Sequence, residues 1–125
     1  MDIIIGGAYQ GKLDYAKETF AVSEEDVFVC SNESCEIDYS KKCIYHIERY
    51  ALACVRAGLV PRLAFEKDKC RDDAVIICED IFCGVVPIDD TLRAWREACG
   101  RLMNAITPDA KSVTRIFCGI AQKLK

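Results

Sequence analysis

Residues 3–13 read Ile3-Ile4-Ile5-Gly6-Gly7-Ala8-Tyr9-Gln10-Gly11-Lys12-Leu13. Three consecutive apolar, β-branched residues read as a strand. The glycines interrupt that run, and Leu13, Ala16 and Phe20 then recur at helical spacing, with Lys17 and Glu18 on the outer side. The order is strand, glycine loop, helix. Gly6-x-x-x-x-Gly11-Lys12 is a P-loop pattern through its lysine. Glycines let backbone N–H groups close around phosphate oxygens, and the following helix directs its positive dipole end at them. Gly6, Gly7, Ala8, Tyr9, Gln10, Gly11, Lys12 and Leu13 are therefore candidate nucleotide-binding residues, and Lys12 is also a candidate catalytic charge at the outer phosphates. The pattern ordinarily ends in Ser or Thr, whose hydroxyl meets Mg²⁺. Leu13 has no donor atom, so any Mg²⁺ would depend on other ligands, such as water or Asp14. The alternative reading of the loop is a tight structural turn. The strand before it and the amphipathic helix after it favour anion binding.

Outward from this segment, residues 27–30 (Val-Phe-Val-Cys) read as a second strand and residues 31–40 as a polar loop. A helix is predicted over residues 39–57, on the spacing of Ile44, Ile47, Ala51, Leu52 and Val55. Gly58 fits its C-cap, and Pro61 prevents continuation. Residues 62–73 carry many charges and read as a surface connection. Residues 74–78 form an apolar strand, and Gly84 and Pro87 mark the turn beyond it. Asp89 or Asp90 can cap a helix running through Leu92, Trp95, Ala98, Cys99, Leu102 and Ile106. Residues 113–118 read as the last strand. Alternating strands and helices imply parallel pairing through right-handed crossovers. The expected architecture is a single α/β domain over 1–125: a three-layer, P-loop-type fold with a mostly parallel sheet of four or five strands.

A second acidic constellation, Glu79-Asp80, follows the strand at 74–78. In open α/β sheets ligands bind beyond the carboxyl ends of the strands. Asp80 is therefore a candidate catalytic carboxylate, able to support a metal-bound water or accept a proton. The alternative is that both acids open a solvated loop. His46 falls inside the expected helix at residues 39–57, and the sequence reveals no orienting partner, so it reads as a core-edge residue.

Nine cysteines include no C-x-x-C pair and accompany one histidine, so no metal ligand set is assigned. Most lie in apolar runs and read as small, reduced hydrophobes; Cys78 and Cys118 are expected in core strands. With 125 residues, 30% charged and a net charge of −3, the chain has the composition of a globular domain and no basic footprint for nucleic acid or an anionic membrane. No apolar stretch approaches a membrane span, and the N-terminus lacks the features of a signal peptide, so a cytoplasmic protein is expected.

These residues resemble the adenosylcobinamide kinase / adenosylcobinamide-phosphate guanylyltransferase family of cobalamin biosynthesis. Residues 3–12 look like that family's apolar strand and its GGARSGKS loop. Glu79 through Pro87 is similar to its NEVGxGIVP segment, with Gly84, Val86 and Pro87 matching and Asp80 in place of the glutamate. Leu92-Arg93, Arg96 and Gly100-Arg101 echo a helix ending in GRxNQ, with Asn104 offset by one position. The tail from Gly119-Ile120 to Lys123-Leu124-Lys125 resembles the closing SGIxxKLK. The resemblance implies GTP or ATP as cofactor, a corrinoid alcohol as acceptor, self-association into a homo-oligomer, and nucleotidyl transfer through a guanylylated histidine. The family is longer, and its middle, which carries that histidine, has no counterpart here; the nucleophile role is not carried onto His46. With Leu13 at the metal-binding position as well, the expectation is a nucleotide-binding protein with its guanylyltransferase step lost and its kinase step weakened. The alternative is a non-catalytic binding or assembly module that keeps only the fold.

Overall fold

The computed structural model describes residues 1–125. Strand β1 (Asp2–Gly6) leads through the glycine loop into helix α1 (Lys12–Phe20). Strands β2 (Val27–Val29) and β3 (Cys43–Tyr45) follow, then helices α2 (Ile47–Arg56) and α3 (Pro61–Ala64). The second half holds β4 (Val75–Glu79), α4 (Asp90–Ile106), β5 (Ser112–Phe117) and β6 (Ile120–Lys123). The six strands form one sheet in the order β2-β3-β4-β1-β5-β6. All pairings are parallel except β5 with β6.

The sheet separates two apolar layers. On one face α1 packs Ala16 over Ile4, Cys43, Val75, Ile77 and Ile116. On the other, α2 and α4 bring Ile47, Tyr50, Leu102 and Ile106 onto Ile3, Ile44 and Ile76. The α/β expectation and its three layers thus hold. Alternate residues of β1 and β4 enter opposite clusters, as the period of two along a strand requires. Each fully buried Ile or Leu contributes about 1.5–3 kcal/mol, so the sheet interior dominates the stability of this small domain.

Three expectations need correction. The helix expected over residues 39–57 is β3 followed by the shorter α2. Cys43 is buried in the α1 layer and Ile44 in the α2/α4 layer, a division across the sheet that successive strand residues make naturally. His46, with φ +62, ends the strand and precedes the helix. The sheet has six strands rather than four or five, because β3 lay inside the expected helix and β6 extends the edge beyond residue 118. Cys118 is exposed rather than buried: with Gly119 it forms the two-residue β5–β6 turn, both at positive φ (51 and 74), as a type I′ hairpin requires. Among the local signals, Asp89 rather than Asp90 caps α4, accepting from Leu92 N at 2.9 Å. Gly58 takes the left-handed conformation after α2, and Leu59 N donates back to Cys54 O at 2.8 Å. No helix is long and apolar enough to cross a membrane.

Candidate functional site

The carboxyl ends of β3, β4 and β1 reach the same edge of the sheet, because these strands are parallel and in register: Gly6 lies beside Glu79, and Tyr45 beside Ile77. A pocket of about 370 Å³ opens there, within the range of small-ligand sites. It is lined by residues 8–14 of the loop and helix start, and by Tyr45, His46, Arg49 and Glu79.

The loop wall follows from its residues. A Cβ on Gly6 would stand 2.5 Å from the carbonyl oxygen of Ile116, so this glycine is demanded by strand packing. Gly11 has φ +92 and occupies the N-cap of α1, which has no side-chain cap. The first N–H groups of α1 are thus left for another acceptor. Tyr9 is left-handed as well and fully exposed. Lys12 is only 5% exposed and donates from Nζ to Gly7 O at 2.5 Å. Gln10 ties the loop to the β5–β6 turn: its Oε1 accepts from Cys118 N at 2.6 Å, and its carbonyl accepts from Gly119 N at 3.1 Å. Leu13 lines the pocket where a hydroxyl would face an ion. Its hydrocarbon side chain offers no donor, and Asp14 is the adjacent carboxylate, so the loop side does not fit the ordinary Mg²⁺ arrangement.

The opposite wall was not legible in the sequence. His46 Nδ1 lies 2.7 Å from Glu48 Oε1, and Glu48 Oε2 accepts from Glu79 N at 2.9 Å. Trp95 Nε1 donates to Glu48 O at 2.6 Å, fastening this turn to α4. The Tyr45 ring lies against His46, with centroids 3.8 Å apart. On a regular helix residues two apart do not face each other; the left-handed backbone at His46 lets its ring reach Glu48. The orienting partner missing from the sequence reading is therefore Glu48. A histidine and a glutamate two residues apart, directly after a buried strand, were the available signal.

Asp80 is placed differently from Glu79. Its N–H donates to Gly6 O at 2.8 Å, and its Oδ1 accepts from Phe82 N at 3.0 Å, while Cys83 Sγ approaches Oδ2 at 3.5 Å. The Asp80 carboxylate thus organises the following loop, and Glu79 is the acid that lines the pocket. That loop is held by α4: Arg96 donates to Phe82 O and, at 3.1 Å, to Val85 O. Arg93 donates to Pro87 O at 3.3 Å and to Ile88 O at 3.0 Å, and pairs with Asp90.

This loop and helix, with the β5–β6 hairpin that supports Gln10, lie within residues 58–124, which match the family model for cobinamide kinase / cobinamide phosphate guanyltransferase. The chain belongs to this family. Among curated proteins none matches. The family match begins after α2, so it covers β4, α4 and the hairpin but not the glycine loop or His46. Within the matched stretch Arg93 and Arg96 clamp the 82–88 loop, and Gly119 completes the turn beneath Gln10.

Proposed function

We propose that this member of the cobinamide kinase / guanyltransferase family binds the phosphates of GTP or ATP in the pocket, with its guanylyltransferase step lost and phosphotransfer to a corrinoid alcohol slow. The observation that carries the reading is the uncapped N-terminus of α1 beside buried Lys12, facing one pocket with Arg49. Backbone N–H groups and two cations are the chemistry that phosphate oxygens require. In this reading Lys12 exchanges its bond to Gly7 O for a phosphate oxygen, and Gly7 through Gly11 supply amides. Arg49, from α2, adds charge on the opposite side. Asp80 acts indirectly, by fixing the loop over which an acceptor would lie.

The slow step follows from Leu13, which supplies no oxygen to an ion on the outer phosphates. The same residue favours the second reading, a binding or assembly module without turnover. Calorimetry with GTP and ATP separates both from a structural turn. Binding should weaken in Lys12→Ala by about 1.5–3 kcal/mol, the scale of a charge-assisted hydrogen bond. Absence of binding by the wild-type chain removes the nucleotide reading. Measurable phosphate transfer to cobinamide distinguishes the slow enzyme from the module.

A further inference from the structure

We propose that His46, Glu48 and Glu79 form a divalent-cation site on the β3–β4 side of the pocket, suited to an Mn²⁺-, Co²⁺- or Zn²⁺-class ion. One ring nitrogen and one oxygen of each carboxylate lie within 4.8 Å of one another. Ligands at about 2.0–2.2 Å from a common tetrahedral ion stand roughly 3.3–3.6 Å apart, so wider pairs must close by side-chain rotation and the 2.7 Å His46–Glu48 pair must open slightly. The three come from the end of β3, the first turn of α2 and the end of β4. Their backbones are fixed by the sheet and by Trp95.

Two features of burial point to an ion. Glu48 is 2% exposed and is the only buried carboxylate of the chain. Buried charges are paired or coordinate metals, and Glu48 has only a ring nitrogen and one backbone N–H for its two oxygens. Each oxygen retains a lone pair. His46 is 8% exposed and lines the pocket. Its Nδ1 faces Glu48 Oε1 at 2.7 Å, where a divalent ion can take the place of the shared proton.

The donor types select the ion. One imidazole and two carboxylates suit Mn²⁺, Co²⁺ or Zn²⁺, whereas Mg²⁺ and Ca²⁺ favour all-oxygen shells. Three protein ligands leave coordination positions open towards the pocket. The site also lies across from Leu13, on the wall where the chain does carry donors. It does not depend on nucleotide binding, and its test is run without nucleotide.

The test uses the full chain stripped with a chelator and titrated with MnCl₂, with free Mn²⁺ followed by electron paramagnetic resonance. One Mn²⁺ per chain is expected, displaced by Mg²⁺ only at far higher concentration. Glu79→Gln should weaken binding by at least about 10–100-fold, the scale for losing even an outer-shell partner of a ligand. Glu79 is only partly buried at a strand end, so the fold should tolerate the change. His46→Asn should weaken it similarly while keeping a residue tolerant of the left-handed backbone. Absence of stoichiometric Mn²⁺, or equal binding by both ligand variants, would mean that His46 and Glu48 are only a hydrogen-bonded pair and overturns the proposal. Co²⁺ spectra give a second readout: thiolate charge-transfer absorption would place the ion on cysteine and likewise overturn it.

Discussion

Gln10 and Cys118, 108 residues apart, are joined by a 2.6 Å hydrogen bond from the Cys118 backbone N–H to the Gln10 side-chain oxygen. The glycine loop is thereby tied to the hairpin at the far end of the chain, and its shape depends on both. Gln10→Ala removes one such bond, which contributes about 0.5–1.5 kcal/mol. Nucleotide affinity should fall about 2- to 12-fold on that scale. The heat of GTP binding in the variant checks it, and unchanged affinity would show that the loop is already rigid without the hairpin.

Gly6 is constrained by packing. A methyl group there would meet the Ile116 carbonyl oxygen at 2.5 Å, and backbone in the sheet centre cannot move aside cheaply. Overpacking costs about 1–3 kcal/mol, so Gly6→Ala should lower the urea midpoint accordingly. Gly7→Ala should be much milder, because its added Cβ would meet only the Gln10 side chain, at 3.6 Å. Equal losses in the two variants would contradict this division of roles.

Leu13→Ser restores an oxygen at the start of α1. GTP affinity in the wild-type chain should depend little on Mg²⁺, and in the variant Mg²⁺ should strengthen it. Transfer of the terminal phosphoryl group to the cobinamide hydroxyl, with the nucleoside diphosphate leaving, should rise if the rest of the site is intact. Brisk, Mg²⁺-dependent phosphorylation by the wild-type chain would refute the reading of Leu13.

The thiols carry a pH signature. Burial pushes Cys30 and Cys43 up to about 12, against roughly 8.5 for an unfolded thiol. The neutral form is favoured in the folded state, so the unfolded chain releases these protons first as pH rises. Their contribution to stability is present below about pH 8.5 and is lost progressively towards pH 12. The urea midpoint should therefore fall between pH 8 and pH 10. At pH 8, native thiol titration should detect chiefly the exposed Cys83 and Cys118, with the buried Cys30, Cys43, Cys54, Cys78 and Cys99 reacting only in denaturant. Rapid reaction of all nine would refute the buried-thiol account.

Strand β1, the glycine loop and α1 were readable from residues 3–20 because each signal is local: a β-branched run, glycines, then a period near 3.6. The Gly58 terminus and a cap at Asp89 or Asp90 were readable for the same reason, and the structure chose Asp89. Strand β3 was not, since three residues carry too little period to distinguish a strand from the edge of a helix. Its identity rests on pairing with Val27–Val29 and Val75–Ile77, which are distant in sequence. Strand β6 is similarly defined by its partner, its residues all being exposed. Chemistry followed the same division. Lys12 was visible through its spacing from Gly6, whereas His46, Glu48 and Glu79 converge only when two parallel strands end together and His46 turns left-handed. A left-handed histidine has no one-dimensional marker, and cross-strand neighbours are chosen by the packing of the whole sheet.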